Sequence, residues 1–182
     1  MRWLVLTFLL VFASLAQADG ELMVCYGYGC LVEEHVRYGE AGLLDWGRLL
    51  GTASSAQGER GLLALVIGGM YRVAGEQTPI HNDRGGNYAD GTVHGRMDCI
   101  DHSRTTGRML QLLAERGVLR WHRPLGVQGR RWLGIIESHY SAAIEETATG
   151  AVHVVDSWFV DNGEPAVILP LDDWKKGAGP DV

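Results

Sequence analysis

The chain has a deficit of basic residues, with 16 lysines and arginines against 22 aspartates and glutamates. The resulting net charge of -6 argues against a nucleic-acid partner. The sequence has no internal repeat, low-complexity tract or interdomain linker, so the 182 residues indicate a single domain that is long enough for a substantial core. The hydrophobic content of 46 % excludes a disordered chain.

Metal-binding spacings are also lacking. The acidic and amide residues within residues 75–98 do not have the spacing of an EF-hand, which argues against a calcium site. Cys99 and His102 form a Cys-x-x-His pair, but no second ligand pair follows at the spacing of a zinc finger. The sequence therefore predicts no metal ion and no cofactor, with a site built from Cys99 and either His102 or His139 as the open alternative.

The N-terminal apolar run, residues 3–12, is too short for a transmembrane helix. Arg2 gives this run a basic start, and Ala16 and Ala18 supply small residues at the two positions that a signal peptidase reads. We predict a secretory signal peptide over residues 1–18 and a single domain over residues 19–182. Export would place the protein in the bacterial periplasm or outside the cell, without stable insertion in a membrane.

Three cysteines in an exported protein leave one without a partner. Cys25 and Cys30 bracket a Tyr-Gly-Tyr-Gly segment that is flexible enough to close a short disulfide. This pairing leaves Cys99 as a free thiol, although the sequence also allows Cys99 to pair with either of the other two. A free thiol in an oxidising compartment makes Cys99 a candidate functional residue.

Cys99 lies at the predicted start of a helix that ends at Arg116, before Gly117. Asp98 is a good N-cap, and Asp101 supplies the acidic half of a capping box. The free N–H groups and the positive dipole end of the first turn favour a thiolate, whereas the two aspartates raise the pKa of the thiol. Cys99 therefore needs a cationic partner such as a histidine; without one it is a small buried hydrophobe.

The order of the predicted elements indicates an α+β fold in which N-terminal helices pack on an antiparallel β-sheet. A loop over residues 75–98 precedes the Cys99 helix, and we expect it to line a cleft with His81 and His94 near the cysteine. The predicted helices cover residues 43–50, 61–74, 99–116 and 171–174. The predicted strands cover residues 35–38, 118–122, 132–145, 151–160 and 166–169, with a basic, glycine-rich turn at residues 126–131.

A histidine and an aspartate lie on consecutive predicted strands. A turn at residues 146–149 would pair residue 145 with 150, 143 with 152, and His139 with Asp156. Both side chains then share one face of the sheet, where an imidazole can accept the proton of a thiol and a carboxylate can orient the ring. The predicted catalytic residues are Cys99, His139 and Asp156, although a strand histidine or aspartate taken alone is equally typical of a structural role.

A cysteine at a helix start, then a histidine on one strand and an aspartate on the next, resembles the transglutaminase-like branch of the papain-like cysteine enzymes and secreted bacterial proteins of this kind. The resemblance covers residues 95–158 and places the family's roles on Cys99, His139 and Asp156. It implies a papain-like or transglutaminase-like core and acyl transfer on peptide or amide substrates, often as hydrolysis and without a cofactor.

The chain departs from the family's pattern at two positions. Ser141 lies two residues after the histidine, where an aromatic residue is common, and Asp98 precedes the cysteine, where a small residue is common. The backbone N–H of Cys99 is the predicted donor of an oxyanion hole. Further candidates for that role are Asn87, Tyr88 and Trp121.

The leading hypothesis is a secreted thiol-dependent acyl-transfer enzyme, a peptidase or amidase that acts on a protein or a cell-wall peptide. The alternative is a non-catalytic binding module on the same scaffold. In such a module aromatic side chains would line a ligand cleft; the candidates are Tyr26, Tyr28, Trp121, Trp132 and Trp158. A buried or disulfide-bonded Cys99 would favour the module.

Overall fold

A computed structural model describes residues 19–132 and 136–180, apart from the side chains of residues 132 and 136–138. The predicted signal peptide lies outside these residues. The fold is α+β, as predicted, with two antiparallel sheets. The strands are β1 (Gly20–Tyr26), β2 (Val32–Tyr38), β3 (His122–Trp132), β4 (Ile136–Glu146), β5 (Val152–Asp156) and β6 (Val167–Pro170). The helices are α1 (Glu40–Gly51), α2 (Ala56–Gln77), α3 (Cys99–Glu115) and α4 (Leu171–Lys175), with a short 3-10 helix at Pro79–Asn82.

The main core forms around α2. This helix begins after Ser55, whose side chain accepts a hydrogen bond from the N–H of Gly58 at 3.1 Å, as an N-cap does. Its inward side chains recur at helical spacing and are fully buried; they include Leu63, Val66, Ile67 and Met70. They pack in one cluster with apolar side chains from both sheets and from α1 and α3. Among the described residues, no helix is both long enough and apolar enough to span a membrane.

The sheets place the N-terminus of α3 between two other parts of the fold. Strands β1 and β2 form a two-stranded sheet, while β3, β4, β5 and β6 form a four-stranded sheet in chain order, with β3 at one edge. Helix α3 packs against both sheets, chiefly on β4 and β1. The residues that precede and begin α3 therefore lie between the β1–β2 hairpin and the four-stranded sheet.

Strand β3 shows that two sequence predictions are wrong. The strand begins at His122 and includes all of residues 126–131, so there is no strand over residues 118–122 and no turn at residues 126–131. Its ladder with β4 is irregular between Pro124 and Gly126, and Gly126 has a φ of 94°. Proline and glycine are tolerated here because β3 is a bulged edge strand.

The β4–β5 hairpin has the predicted alternation, but its register differs from the prediction by two residues. Glu145 pairs with Val152 and not with residue 150, because the turn begins and ends one residue later than predicted. His139 and Asp156 are therefore not directly opposite each other. They still share one face of the sheet, since the side chains of a strand alternate with a period of two.

A buried polar cluster joins α2 to the start of β3. The side chains of Glu59 and His122 are fully buried, and the carboxylate of Glu59 lies 2.8 Å from His122 Nδ1. The same carboxylate accepts hydrogen bonds from the backbone N–H groups of Arg120 at 2.6 Å and Trp121 at 3.0 Å. Arg60 Nη1 lies 3.1 Å from His122 Nε2. Because a guanidinium only donates, Nε2 accepts this bond and Nδ1 carries the proton that it donates to Glu59.

Candidate active site

Cys99 lies in the first turn of α3, as the sequence predicted. Asp98 is the N-cap, and its Oδ1 accepts hydrogen bonds from the N–H groups of Ile100 at 3.0 Å and Asp101 at 2.9 Å. Asp101 completes the predicted capping box, because its Oδ2 accepts from the N–H of Asp98 at 3.1 Å. These bonds fix the direction of the first turn and with it the position of the thiol.

The predicted disulfide between Cys25 and Cys30 is present, and Cys99 is the free cysteine. The disulfide closes a loop in which four consecutive residues, 27–30, have φ angles between 62° and 85°. Two of these residues, Tyr28 and Cys30, are not glycine, so the loop holds a backbone conformation that side chains disfavour. The disulfide and the contacts of the loop with α3 offset this cost.

The N–H groups of this loop bind the two capping aspartates. Tyr28 donates to Asp101 Oδ2 at 2.8 Å, and Cys30 donates to Asp101 Oδ1 at 2.5 Å. Gly29 donates to Asp98 Oδ2 at 2.9 Å. Burial and the charge of Asp98 nevertheless raise the pKa of Asp101 to about 6. The disulfide loop therefore holds the two carboxylates beside the cysteine, and backbone dipoles partly compensate their charge.

The thiol of Cys99 is partly buried. Burial raises its pKa above the ordinary value for cysteine, and the negative charges of Asp98 and Asp156 raise it further. Hydrogen bonds from the backbone N–H groups of Tyr140 and of Cys99 itself act in the opposite direction. The start of the helix is thus insufficient to ionise the thiol, as the sequence indicated, so a reactive Cys99 requires a base that takes its proton.

His139 and Asp156 form a buried pair on the sheet. His139 Nε2 lies 2.7 Å from Asp156 Oδ2, and the two side chains are 6 % and 1 % exposed. Because Nε2 is bonded to the carboxylate, Nδ1 is the ring nitrogen that remains for a second partner. The thiol of Cys99 accepts a hydrogen bond from Tyr140, the residue that follows His139. The structure therefore brings the three predicted residues into one region.

Aromatic rings surround this region. The ring of His139 lies 4.7 Å from that of Trp158, 5.5 Å from Phe159 and 5.6 Å from Trp174, measured between centroids. Cys99 packs against the same aromatic cluster. The cluster removes water from the imidazole–carboxylate pair, and a hydrogen bond is electrostatically stronger in a region of low dielectric.

Trp174 is a site residue that the sequence analysis missed. Its Nε1 donates to Asp156 Oδ2 at 2.9 Å, so the oxygen that binds His139 has a second hydrogen bond. Arg130 holds the tryptophan in place, since its guanidinium lies 5.1 Å from the ring and donates to the carbonyl oxygens of Trp174 and Ala178. No local motif marks Trp174, because 18 residues separate it from Asp156.

Replacing Trp174 by phenylalanine is expected to slow the reaction of Cys99 with iodoacetamide about fivefold, the effect of losing one hydrogen bond worth about 1 kcal/mol. The rate near neutral pH is followed by intact mass. Trp46→Phe is the control, because Trp46 packs against Tyr38 in the main core, and it should keep the wild-type rate. An unchanged rate in Trp174→Phe would remove this tryptophan from the site.

A second buried polar network lies beside the first and supports it. His102 Nε2 lies 2.9 Å from Asp83 Oδ2, and its Nδ1 lies 2.8 Å from the hydroxyl of Ser157. The same hydroxyl contacts Thr106 and Tyr71 at 2.9 Å and 3.2 Å. Ser157 directly follows Asp156, so this network anchors the end of β5 to α3.

These contacts affect whether Cys99 can bind a metal ion together with His102 or His139. Both ring nitrogens of His102 are already bonded, so His102 offers no free nitrogen to a metal beside Cys99, whereas His139 is bonded to Asp156 through Nε2 and keeps Nδ1. Among the described residues, Cys25, Cys30 and Asp101 do place metal-type ligand atoms within 4.8 Å of one another. Their two sulfurs form the disulfide, so they offer no thiolate to a metal.

The loop before α3 supplies less to the site than the sequence predicted. Its first residues, 75–77, belong to α2. His81 Nδ1 faces the backbone carbonyls of Gly75 and Thr78, and His94 packs its ring 5.7 Å from that of Tyr26. Neither contact leads to Cys99, so the expectation of two loop histidines beside the thiol is not supported.

The three side-chain candidates for the oxyanion hole lie in different parts of the structure. Asn87 donates its amide to Asp83 and Asp90, and Trp121 lies beside Glu59 at the start of β3. Tyr88 is 77 % exposed, and its ring lies 4.9 Å from that of Trp158, so it reaches the rim of the aromatic cluster.

The aromatic residues proposed for a binding cleft are dispersed. Tyr26 is buried, with its hydroxyl 2.6 Å from Glu34, and the hydroxyl of Tyr28 lies 2.7 Å from Asp90. Trp158 packs on His139, and the side chain of Trp132 lies outside the described residues.

Comparison of the chain with protein-family models, with curated proteins and with solved structures finds no match. The case for a function therefore rests on the geometry around Cys99.

Proposed function

We propose that the protein is a thiol-dependent acyl-transfer enzyme, a peptidase or amidase related to the transglutaminase-like branch of the papain-like enzymes. Cys99 is the nucleophile, His139 is the general base and then the general acid, and Asp156 orients the ring. The observation that carries the proposal is the buried 2.7 Å contact between His139 Nε2 and Asp156 Oδ2. The free thiol of Cys99 lies beside this pair and accepts a hydrogen bond from the backbone N–H of Tyr140, the residue after His139.

The chemistry follows from which ring nitrogen is free. Nδ1 of His139 accepts the proton of the Cys99 thiol as the sulfur attacks the carbonyl carbon of an amide. The N–H of Cys99 stabilises the oxyanion, and His139 then gives the proton to the departing amine. Water, deprotonated by the same nitrogen, releases the acid from the thioester. Asp156 keeps the proton on Nε2 and stabilises the imidazolium that forms.

We further propose that this chemistry takes place in an oxidising compartment, the periplasm or the outside of the cell, on a peptide or amide substrate. The Cys25–Cys30 disulfide supports the compartment, because such bonds persist where thiols are not kept reduced.

The test uses p-nitrophenyl acetate as an acyl donor. The sulfur forms a bond to the acetyl carbon, the ester C–O bond breaks and p-nitrophenolate leaves. We expect an acetyl group on Cys99 by peptide mapping, continued release of p-nitrophenolate, and a loss of at least about a hundredfold in Cys99→Ser. Equal rates in wild type and Cys99→Ser, or acetylation only at other residues, would contradict the proposal.

The raised pKa of the Cys99 thiol favours the second candidate, a non-catalytic binding module. In that case Cys99 is a small, partly buried side chain with no activating partner. The acetylation experiment separates the two candidates, because a binding module releases no p-nitrophenolate through Cys99.

A further inference from the structure

A groove runs along α3 from the neighbourhood of the thiol. Two adjoining cavities, of about 380 Å³ and about 470 Å³, form it and share Ser103, Arg104 and Val127. The cavity at the thiol end is also lined by Ile100 and Tyr140. Ile100 follows Cys99 in the chain, and Tyr140 is the residue whose backbone N–H contacts the Cys99 sulfur. The groove therefore begins beside the candidate nucleophile, although neither Cys99 nor His139 is among the residues that line the two cavities.

The shape of the groove suits an extended peptide. Its helical wall includes Ile100, Ser103, Gly107 and Gln111, which fall on one face of α3 at helical spacing. From Ile100 to Gln111 the helix rises about 17 Å, the length of about five residues of extended chain. The opposite wall comes from β3 and β4 and is small or apolar; it includes Gly126, Val127, Ala142 and Ala143.

The two arginines on the helical wall of the groove differ in their contacts. Arg108 is engaged, since it donates to the Met23 carbonyl at 2.9 Å and pairs with Glu33 at 2.5 Å. Arg104 is exposed and has no hydrogen-bond or ion-pair partner within the described part of the chain. In a protein of net charge -6, the groove thus presents a cation that is not neutralised by the protein. A guanidinium without a partner in the protein is a suitable donor to a ligand carboxylate, which it can bind with two parallel hydrogen bonds.

We infer that the groove binds an acidic peptide in extended form, and that Arg104 pairs with a carboxylate of that peptide about two residues from the reacting amide. The spacing follows from the helix, because Arg104 lies five residues beyond Cys99. Five helical residues rise about 7.5 Å, which is the length of two extended residues. The inference rests on the proposed function, since it names the substrate class for the same site.

The test compares two peptidyl chloromethyl ketones that differ only in glutamate or glutamine two residues before the ketone. The Cys99 sulfur displaces chloride, and intact mass gives the rate of alkylation. We expect the glutamate probe to react about fivefold faster than the glutamine probe in wild type. Arg104→Gln should abolish the preference and Arg104→Glu should reverse it, a reversal that a merely structural role of Arg104 would not produce.

Arg72→Gln is the matched control, because Arg72 is an exposed arginine on α2, outside the groove, and this variant should keep the wild-type ratio. The C-terminus of a peptide is a second source of a carboxylate for Arg104. A pair of epoxysuccinyl peptides, one with a free C-terminal carboxylate and one with a C-terminal amide, tests this source. A preference for the free carboxylate that Arg104→Gln removes would assign Arg104 to a peptide terminus.

The outcomes separate this inference from the proposed function. If wild type shows no charge preference with either pair while Cys99 still reacts with iodoacetamide faster than free cysteine, the acidic peptide is wrong and the nucleophile stands. If Cys99 reacts with iodoacetamide no faster than free cysteine, the proposed function fails, and the inference fails with it.

Discussion

Replacing His139 by alanine should slow the reaction of Cys99 with iodoacetamide near neutral pH by at least about tenfold. Without the imidazole, burial and the charges of Asp98 and Asp156 hold the pKa of the thiol above its ordinary value, because they outweigh the hydrogen bonds from the backbone N–H groups of Tyr140 and Cys99. A thiol with the ordinary pKa of about 8.5 is only about 3 % thiolate at pH 7, and a raised pKa lowers this fraction further, so little of the thiol reacts. The rate is measured by intact mass, and the labelled residue is identified by peptide mapping.

Two further variants make this result specific. His35→Ala removes a histidine on β2 whose side chain is 70 % exposed, and it should leave the rate unchanged. Asp156→Asn keeps the shape of the side chain but loses its charge, so it should slow the reaction, and circular dichroism shows whether this variant is folded. If His139→Ala, shown to be folded by circular dichroism, reacted as fast as wild type, His139 would not be the base.

Replacing Glu59 by glutamine should lower the free energy of unfolding by about 3 kcal/mol. Glutamine presents an NH₂ group to a position where His122 Nδ1 and two backbone N–H groups all donate, so at least one buried donor loses its acceptor. Urea denaturation at neutral pH measures the loss. The control is Glu145→Gln, because Glu145 pairs with an exposed Arg123, and this change should cost less than about 1 kcal/mol.

The same carboxylate makes stability depend on pH. Burial raises the pKa of Glu59, but hydrogen bonds from His122 and from the backbone N–H groups of Arg120 and Trp121 outweigh burial and hold the pKa below the ordinary value. A carboxyl with a depressed pKa stabilises the fold above its unfolded value of about 4.3, and this stability is lost as pH falls through the lower folded value. Wild type should lose this contribution in acid and Glu59→Gln should not; parallel acid curves would contradict this assignment.

Local signals in the sequence were enough to predict the start of the site. Asp98 and Asp101 identify the first turn of α3 through capping chemistry alone, and this turn places Cys99. The short spacing of Cys25 and Cys30 predicted their disulfide. These features depend on residues that are close in the chain, so no knowledge of the tertiary fold is needed to find them.

The pairing of strands was less predictable, because it depends on the exact residue at which a turn begins. The β4–β5 turn begins one residue later than predicted, which shifts the register by two. His139 and Asp156 still meet because an even shift preserves the face of a strand. A shift of one residue would have placed the two side chains on opposite faces. The predicted contact between His139 and Asp156 is present, although the predicted register was wrong.

Long-range contacts account for what the sequence analysis missed. Trp174 reaches Asp156 only because α4 follows β6 back across the sheet, and Arg104 becomes notable only once a groove beside it is seen. Strand β3 was mistaken for a turn because Pro124, Gly126 and Gly129 are typical of turns, whereas the edge of a sheet also accepts them. Each of these features is set by packing between distant segments.

The pH dependence of Cys99 alkylation by iodoacetamide, from about pH 5 to about pH 10, tests most directly whether Cys99, His139 and Asp156 act as one unit. If the three residues act as one unit, wild type should react substantially at and below neutral pH, and His139→Ala should react only as pH approaches or exceeds the ordinary thiol pKa of about 8.5. Profiles of wild type and His139→Ala that coincide, both rising only above that value, would contradict the catalytic unit.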